Sequence, residues 1–151
     1  MGHDLQDIAL VSLLLEDLCR LDIATHDFAK AQERVGEYRQ LAQESGDPFL
    51  LGSAFLIEAT LHWEAEESQA AKDSFLGALA CFEQAAIPMK EVEAREGLVM
   101  VASALEDAEL MGEQLRGIAD TYKRLGNDQE RALALQRLAL LGDLQGNTEE
   151  A

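Results

Sequence analysis

The sequence predicts an all-α protein, and three observations support this prediction. Ala and Leu supply 48 of the 151 residues, whereas Val, Ile and Thr together supply 14, a balance that favours helices over strands. Only two prolines interrupt the chain. Apolar residues recur at the i, i+3, i+4, i+7 spacing of helices that bury one face. Because the chain is also long enough to bury a sizeable core, we expect a single domain over residues 1–151.

The first four helices are predicted over 4–22, 26–45, 48–65 and 68–86. The first covers the apolar run 8–15 and stops at the capping turn Thr25-His26-Asp27. Gly46 ends the second, and Asp47-Pro48 begins the third, because Pro suits the first helical turn and Asp suits the cap before it. The charged turn Glu66-Glu67-Ser68 precedes the fourth helix. Its apolar stripe has helical spacing: Ala71, Phe75, Ala78, Leu79 and Phe82.

The last three helices are predicted over 88–105, 107–125 and 128–145. Pro88 begins the fifth helix, and Glu106-Asp107 separates it from the sixth. The stop signal Gly126-Asn127-Asp128 then begins the seventh. The stripe of the sixth helix consists of Leu110, Met111, Leu115, Ile118, Ala119, Tyr122 and Leu125. Because every loop is short, successive helices are expected to be antiparallel.

The chain also contains a divergent internal repeat of about 40 residues. The helix starts Asp47-Pro48, Ile87-Pro88 and Asn127-Asp128 recur at that interval. When the sequence is shifted by 40 residues, other positions agree by residue class, such as Ala54, Ala94 and Ala134, or Val35, Phe75 and Leu115. Each repeat contains two helices, so the pattern is typical of stacked helix pairs.

One unit carries a residue order with a known counterpart: Phe55-x-x-Glu58-Ala59-x-x-His62, followed by Ala71-x-x-x-Phe75-x-x-Ala78. This order resembles the tetratricopeptide repeat, which expects Trp, Leu, Gly and Tyr in one helix and Ala, Phe and Ala in the next. Glu58 and His62 depart from that pattern. Further matches are Leu115-x-x-Ile118-Ala119-x-x-Tyr122-x-x-x-Gly126-Asn127 and Leu135-x-x-Leu138-Ala139. The resemblance spans nearly the whole chain, although no unit has every signature residue.

The resemblance implies a right-handed array of antiparallel helix pairs that binds a peptide or a partner helix in a concave groove and has no catalytic centre. The first helix of each pair lines that groove. The implied groove residues are Glu16, Arg20, Ser53, Leu56, Thr60, Trp63, Glu93, Glu96, Met100, Ser103, Gln136, Leu140 and Asp143. Some members of the family hold a C-terminal carboxylate with Lys, Arg and Asn, but that cluster is missing. The acidic groove residues favour a basic or amphipathic partner segment instead.

Trp63 has two interpretations. It is the only tryptophan, and large aromatic side chains often carry much of the binding energy at interfaces. The alternative is half-buried packing, because Trp is common in cores as well.

The charge of the chain excludes some partners. With 29 acidic and 12 basic residues the net charge is −17, which repels nucleic-acid phosphates and anionic lipids. Residues 57–113 hold 13 acidic and 3 basic residues, whereas 114–137 hold 3 and 5. The acidic centre favours a basic partner, and the alternative is a face that only confers solubility.

We expect a cytoplasmic protein without a signal peptide or membrane span. Acidic residues flank the apolar run 8–15 on both sides, whereas a signal peptide has a basic start and a membrane span needs roughly 18 apolar residues. Cys19 and Cys81 are too few and too far apart for a disulfide framework or a zinc site. Both lie in apolar stripes and are expected to be buried.

The sequence contains no catalytic motif or cofactor fingerprint, so we expect neither enzymatic activity nor a cofactor. The best metal candidate is the stripe Glu58, His62 and Glu66, at i, i+4 and i+8. One helix supplies too few ligands for a closed site, so packing of His62 is the preferred interpretation. A small metal-binding helical enzyme remains a remote alternative to an adaptor or scaffold module.

The main alternative to the adaptor is a module that assembles with itself. The first and last predicted helices carry more apolar residues than one buried face needs, which predicts homo-oligomers, most simply a homodimer. A longer parent chain is the other explanation, because residues 146–151 resemble the start of another helix. The residues expected to mediate self-association are Leu10, Leu14, Leu133, Leu140 and Leu144.

Overall fold

A computed structural model describes residues 5–150, and within this range the chain forms seven α-helices and no strand. The side chains of residue 5 and of residues 147–150 are not described. The helices are α1 (Leu5–Ala24), α2 (Phe28–Ser45), α3 (Pro48–Glu64), α4 (Ser68–Ala85), α5 (Pro88–Ala104), α6 (Ala108–Leu125) and α7 (Asp128–Glu150). The prediction of an all-α chain with seven helices is confirmed.

The helices form two compact units, which divide between Ile87 and Pro88. In the first unit α1 packs on α2, α2 on α3 and α3 on α4, while α1 also contacts α3. In the second unit α6 packs on both α5 and α7. Within each unit, consecutive helices are therefore neighbours in space.

The helix boundaries differ from the predicted ones by one or two residues, except at the end of α7. α2 begins two residues later than predicted, at Phe28, because Asp27 is its N-cap and accepts a hydrogen bond from the backbone of Lys30. Asp107 caps α6 in the same way. The predicted start of the first helix, at residue 4, lies outside the described residues. α7 extends to Glu150 without a break. Within the described residues, therefore, no new helix starts near residue 146, and this prediction is wrong.

All six turns between the helices share one backbone conformation. The residue after each helix, or one residue further on, has the left-handed conformation, with φ between 55° and 72°. These residues are twenty positions apart: His26, Gly46, Glu66, Ala86, Glu106 and Gly126. In five of the turns the next backbone N–H donates to a carbonyl oxygen five residues earlier, as Asp27 does to Asp22 at 2.8 Å. This is the Schellman arrangement, which satisfies carbonyl groups at a helix end.

In four of the six turns the residue after the left-handed position caps the next helix. The side chains of Asp27, Asp47, Asp107 and Asn127 each accept a hydrogen bond from a backbone N–H of the following first turn. Ile87 has no such side chain, but Pro88 follows it and needs no partner for a backbone N–H. The end of one helix and the start of the next therefore fit into two or three residues.

The hairpin of α3 and α4 is held by two reciprocal contacts between a glycine and a phenylalanine. The ring of Phe82 in α4 lies against Gly52 in α3, and the ring of Phe55 in α3 lies against Gly77 in α4. As one residue number rises the other falls, so the two helices are antiparallel. Ala59 and Ala71 in the same helices are completely buried, as expected of small residues where helices approach closely.

In the second unit an arginine takes the place of one phenylalanine. The guanidinium group of Arg95 in α5 lies against Gly117 in α6 and donates a hydrogen bond to Gln114 at 2.8 Å. Leu115 and Ile118 lie on one side of α6 and are buried together with Ala134 of α7. A polar contact and an apolar cluster thus share one hairpin interface.

The predicted stripes are largely buried. All five residues of the α4 stripe are buried, and the α6 stripe is buried or partly buried except at Leu125, which is 46% exposed. Leu125 is the last residue of α6, directly before the left-handed Gly126, where the chain turns away. Cys19 and Cys81 are buried and free, as predicted.

The glycine contacts generate a prediction with a matched control. A methyl group on Gly52 would lie 2.8 Å from a ring carbon of the buried Phe82. Gly52→Ala is therefore expected to destabilise the protein by roughly 1–3 kcal/mol in urea unfolding. Gly36→Ala, with nothing within 4 Å in α2, should stabilise it by about 0.5–1 kcal/mol, because alanine favours helices. Stabilisation by both substitutions would contradict the close approach of α3 and α4.

The turns generate a second prediction. Ala86 has φ 56° and ψ 49°, where a side chain is strained. Ala86→Gly is expected to raise stability by about 0.5–1 kcal/mol, because glycine adopts this conformation without strain. Ala80→Gly, at an exposed position within α4, should lower stability by a similar amount. Urea midpoints of the two variants should therefore move in opposite directions, and a loss of stability in Ala86→Gly would argue against the turn.

Candidate interaction surface

The exposed side of α5 and α7 in the second unit contains most of the predicted groove residues that are accessible. Glu93, Glu96, Met100 and Ser103 lie at i, i+3, i+7 and i+10 on α5 and are all exposed. On α7, Gln136, Leu140 and Asp143 follow at i, i+4 and i+7 and are exposed as well. We call these seven residues the α5/α7 face.

An ion pair connects the two helices on this face. The guanidinium group of Arg137 donates to both carboxylate oxygens of Glu96, at 2.7 and 3.0 Å. The hydrogen bonds to Glu96 raise the pKa of Arg137 above its ordinary value. Because the contact is bidentate, it fixes the distance and rotation of α7 relative to α5 more strictly than a single hydrogen bond does.

A cleft lies beside this ion pair. It has a volume of about 370 Å³ and is open to solvent. Its lining combines two charged side chains with the apolar surface of α5: Glu96, Gly97, Val99, Met100 and Arg137. The flexible thioether of Met100, 40% exposed, adapts to side chains of different shapes.

A larger cleft lies between the end of α5, the start of α6 and the second half of α7. It has a volume of about 760 Å³, and its lining contains apolar residues and two carboxylates. The lining residues are Ala102, Ser103, Glu106, Asp107, Ala108, Met111, Leu141, Leu144 and Gln145. Ser103 belongs to the α5/α7 face, so the cleft is continuous with it. Apolar side chains beside carboxylates favour a ligand that is both apolar and basic.

The predicted groove residues of the first unit are less accessible. Glu16 and Arg20 form an exposed ion pair along α1, at 3.2 Å. Ser53 and Leu56 on α3 are buried. Thr60 is half-buried, and its hydroxyl donates a hydrogen bond to the carbonyl oxygen of Leu56. Trp63 is half-buried, which is compatible with both of its interpretations.

The buried Ser53 is a partner of a buried phenol. Tyr38 of α2 is 2% exposed and hydrogen-bonds to Ser53. Burial, and secondly the nearby carboxylate of Glu16, raises the pKa of Tyr38 to about 12. The pKa of Cys19, in the same apolar cluster, is raised to about 11 by burial and by the charge of Asp22.

Glu58 connects three helices. Its carboxylate accepts hydrogen bonds from Arg39 of α2, at 3.2 and 3.3 Å, and from the hydroxyl of Ser74 of α4, at 3.2 Å. His62 lies 3.8 Å from Glu58 and 3.5 Å from Glu67. Glu66 lies in the turn and is exposed. Among the described residues no group of histidine, cysteine and carboxylate side chains is arranged to hold a metal ion.

The residues predicted for self-association are all exposed. Leu10 and Leu14 on α1 are 59% and 54% exposed, and Leu133, Leu140 and Leu144 on α7 are 48–66% exposed. Four further side chains of α1 belong to the same surface: Val11, Leu13, Leu18 and Leu21.

Sequence reasoning did not include Arg137, Met111 or Leu141 among the surface residues. Arg137 lies 41 residues after Glu96, one residue more than the repeat length, and this spacing was the available signal. Met111 was placed by its periodicity in the apolar stripe of α6. The part of Met111 and Leu141 in a cleft depends on how α7 packs beside α5 and α6, for which the sequence contains no signal.

Comparison of the sequence with protein-family profiles and with curated proteins finds no match. No protein-family profile matches the chain, and no curated protein has a significantly similar sequence. No helix among the described residues is both long and apolar enough to cross a membrane.

The buried phenol generates a prediction about pH. The folded protein holds the Tyr38 proton more tightly than the unfolded chain, whose phenol has its ordinary pKa of about 10. The resulting stabilisation is complete below pH 10 and is lost as the pH rises through about 12. Urea midpoints measured from pH 8 to pH 12 should therefore fall.

Tyr38→Phe is expected to reduce this decline, although the loss of the hydrogen bond to Ser53 lowers its midpoint at pH 8. Tyr122→Phe is the matched control, because Tyr122 is only half-buried. The control should keep most of the decline. An equal decline in the parent protein and in Tyr38→Phe would show that this phenol does not contribute.

Proposed function

We propose that this chain is a helical-repeat interaction module of the tetratricopeptide type. In this proposal it is a right-handed array of antiparallel helix pairs with a period of about 40 residues, and it serves as an adaptor or scaffold. The support comes from the seven consecutive helices, the antiparallel α3–α4 hairpin and the turns twenty residues apart. Repeat modules of this kind present a continuous surface to a partner segment.

The partner segment is a basic amphipathic helix or peptide that lies on the α5/α7 face. The single observation that carries this proposal is the cleft beside the Glu96–Arg137 pair, where Met100 and Val99 supply apolar contact. Glu93 and Asp143 are exposed at the same face. Lysine or arginine side chains of the partner pair with these carboxylates, while its apolar side enters the cleft. In the first unit, Thr60 and Trp63 remain candidate contact residues.

The test uses a fluorescein-labelled helical peptide of Leu and Lys, with a Leu and Glu peptide of the same pattern as the negative probe. Fluorescence polarisation should show binding of the basic peptide alone, and the affinity should fall with added salt because the charges are exposed. Glu93→Lys is expected to weaken binding about fivefold, equivalent to ~1 kcal/mol for a charge at the rim of an interface.

Glu113→Lys is the matched control, since it changes the net charge equally at an exposed position of α6 outside the α5/α7 face. It should leave the affinity nearly unchanged. Equal weakening by both variants would mean that the peptide responds only to the overall charge. Failure of the basic peptide to bind would contradict the proposed partner chemistry.

A further inference from the structure

The outer side of α1 is the largest exposed apolar surface on a single helix among the described residues. Six of its side chains are 39–59% exposed: Leu10, Val11, Leu13, Leu14, Leu18 and Leu21. The opposite side of α1 carries Ile8, Ser12, Cys19 and Ile23, which are buried within the first unit. The helix is therefore apolar on the side that faces solvent as well as on the side that faces its neighbours.

The exposed side chains form one continuous stripe. At 100° per residue, Leu10, Leu14 and Leu21 lie within about 40° of one another, opposite Cys19. Leu13 extends the stripe on one edge, and Leu18 and Val11 extend it on the other. Asp7 and Asp17 are the charged residues of the stripe, and Arg20 lies at its edge.

We propose that this stripe is a self-association surface, on which α1 of one chain packs against α1 of a second copy about a two-fold axis. A two-fold axis fits because it pairs the same patch on both copies and leaves no free apolar edge. The proposal does not depend on the α5/α7 face, since it uses only residues of the first helix.

The area of the stripe is sufficient for a specific dimer. Six partly exposed aliphatic side chains present on the order of 500 Å² per chain, so a pair buries about 1,000 Å², the lower limit for a specific interface. A patch of this size is at the upper end of what monomers expose. Burial of these side chains in a dimer removes the cost of contact with water, which grows with the apolar area.

α7 is the weaker candidate for the same role. Its exposed leucines lie on different sides of the helix: Leu135 on one, and Leu133, Leu140 and Leu144 on the other. The second side also carries Arg137, which is already bonded to Glu96 of α5. A second copy packed on this side of α7 would cover the ion pair that joins α7 to α5.

The charge of the protein gives this interface a characteristic salt dependence. Each copy carries a net charge of −17, so two copies repel each other, and added salt screens that repulsion. Self-association through apolar side chains therefore strengthens with salt, whereas binding of a basic peptide to the α5/α7 face weakens. The two kinds of association are distinguishable in one titration.

The experiment is sedimentation equilibrium on the full chain over a range of concentrations, at low and at moderate salt. The parent protein should change from 16.5 kDa to twice that mass as its concentration rises, at lower concentrations when salt is present. Leu14→Glu should keep the monomer mass throughout, with an unchanged helical circular dichroism spectrum.

Met89→Glu is the matched control, because Met89 lies on α5 and is 54% exposed, like Leu14. Met89→Glu and Leu140→Glu should both dimerise as the parent does. If Leu14→Glu does not fold, the double variant Leu14→Ala/Leu21→Ala tests the same surface, since alanine keeps the helix. This double variant should weaken dimerisation at least tenfold.

Three results would overturn the proposal. The first is a parent protein that remains a monomer at several hundred micromolar, which would assign the stripe to a different partner. The second is a dimer that Leu14→Glu and the double variant leave intact. The third is a dimer that is lost in Leu140→Glu but retained in Leu14→Glu, which would place the interface on α7.

Discussion

The spacing of the left-handed turn residues is the constraint on which the structure depends. A residue with positive φ occurs every twenty positions, and a side-chain helix cap follows four of the six. Because the end of one helix and the start of the next occupy so few residues, consecutive helices have almost equal lengths and pack alongside each other within each unit. Two of the six left-handed residues are glycines, and the others are His26, Glu66, Ala86 and Glu106. The tight turn is retained where the residue type disfavours it, so the hydrogen bonds and the packing of the helices outweigh the strain.

Equal helices in short hairpins need small residues where they meet. In the α3–α4 hairpin, glycine opposes phenylalanine twice, and Glu58 adds a polar connection to α2 and α4. In the second unit Arg95 covers Gly117, and Arg137 holds α7 to α5 through Glu96. Each unit therefore combines apolar packing with polar connections between its helices. Two clefts lie beside the last helix of the second unit, and Met100, Met111 and Leu141 line them.

The fold was predictable from the sequence because its signals are local. Asp47-Pro48 and Gly126-Asn127 mark helix ends through their own backbone preferences, and the stripe of α4 marks a buried face through spacing alone. The exposed apolar side chains on α1 and α7 were also predictable, since the leucines of these helices outnumber the positions of one buried face. Ser53 and Leu56 illustrate the limit: carried over from a resemblance, they were expected in a groove, but they are buried. Whether a side chain lines a cleft depends on how far two helices diverge, and the contacts that decide this, such as Arg137 with Glu96, join residues far apart in the chain.

The proposed function requires that a basic amphipathic segment bind to the α5/α7 face. This binding site is tested most directly by a titration of the ¹⁵N-labelled protein with an unlabelled helical peptide of Leu and Lys, followed by amide chemical-shift changes. The largest changes are expected at α5 and α7, around Glu93, Met100 and Leu140, with small changes at the exposed positions of α2 and α4. Changes spread evenly over acidic residues of all helices, or concentrated on α2 and α4, would contradict this binding site.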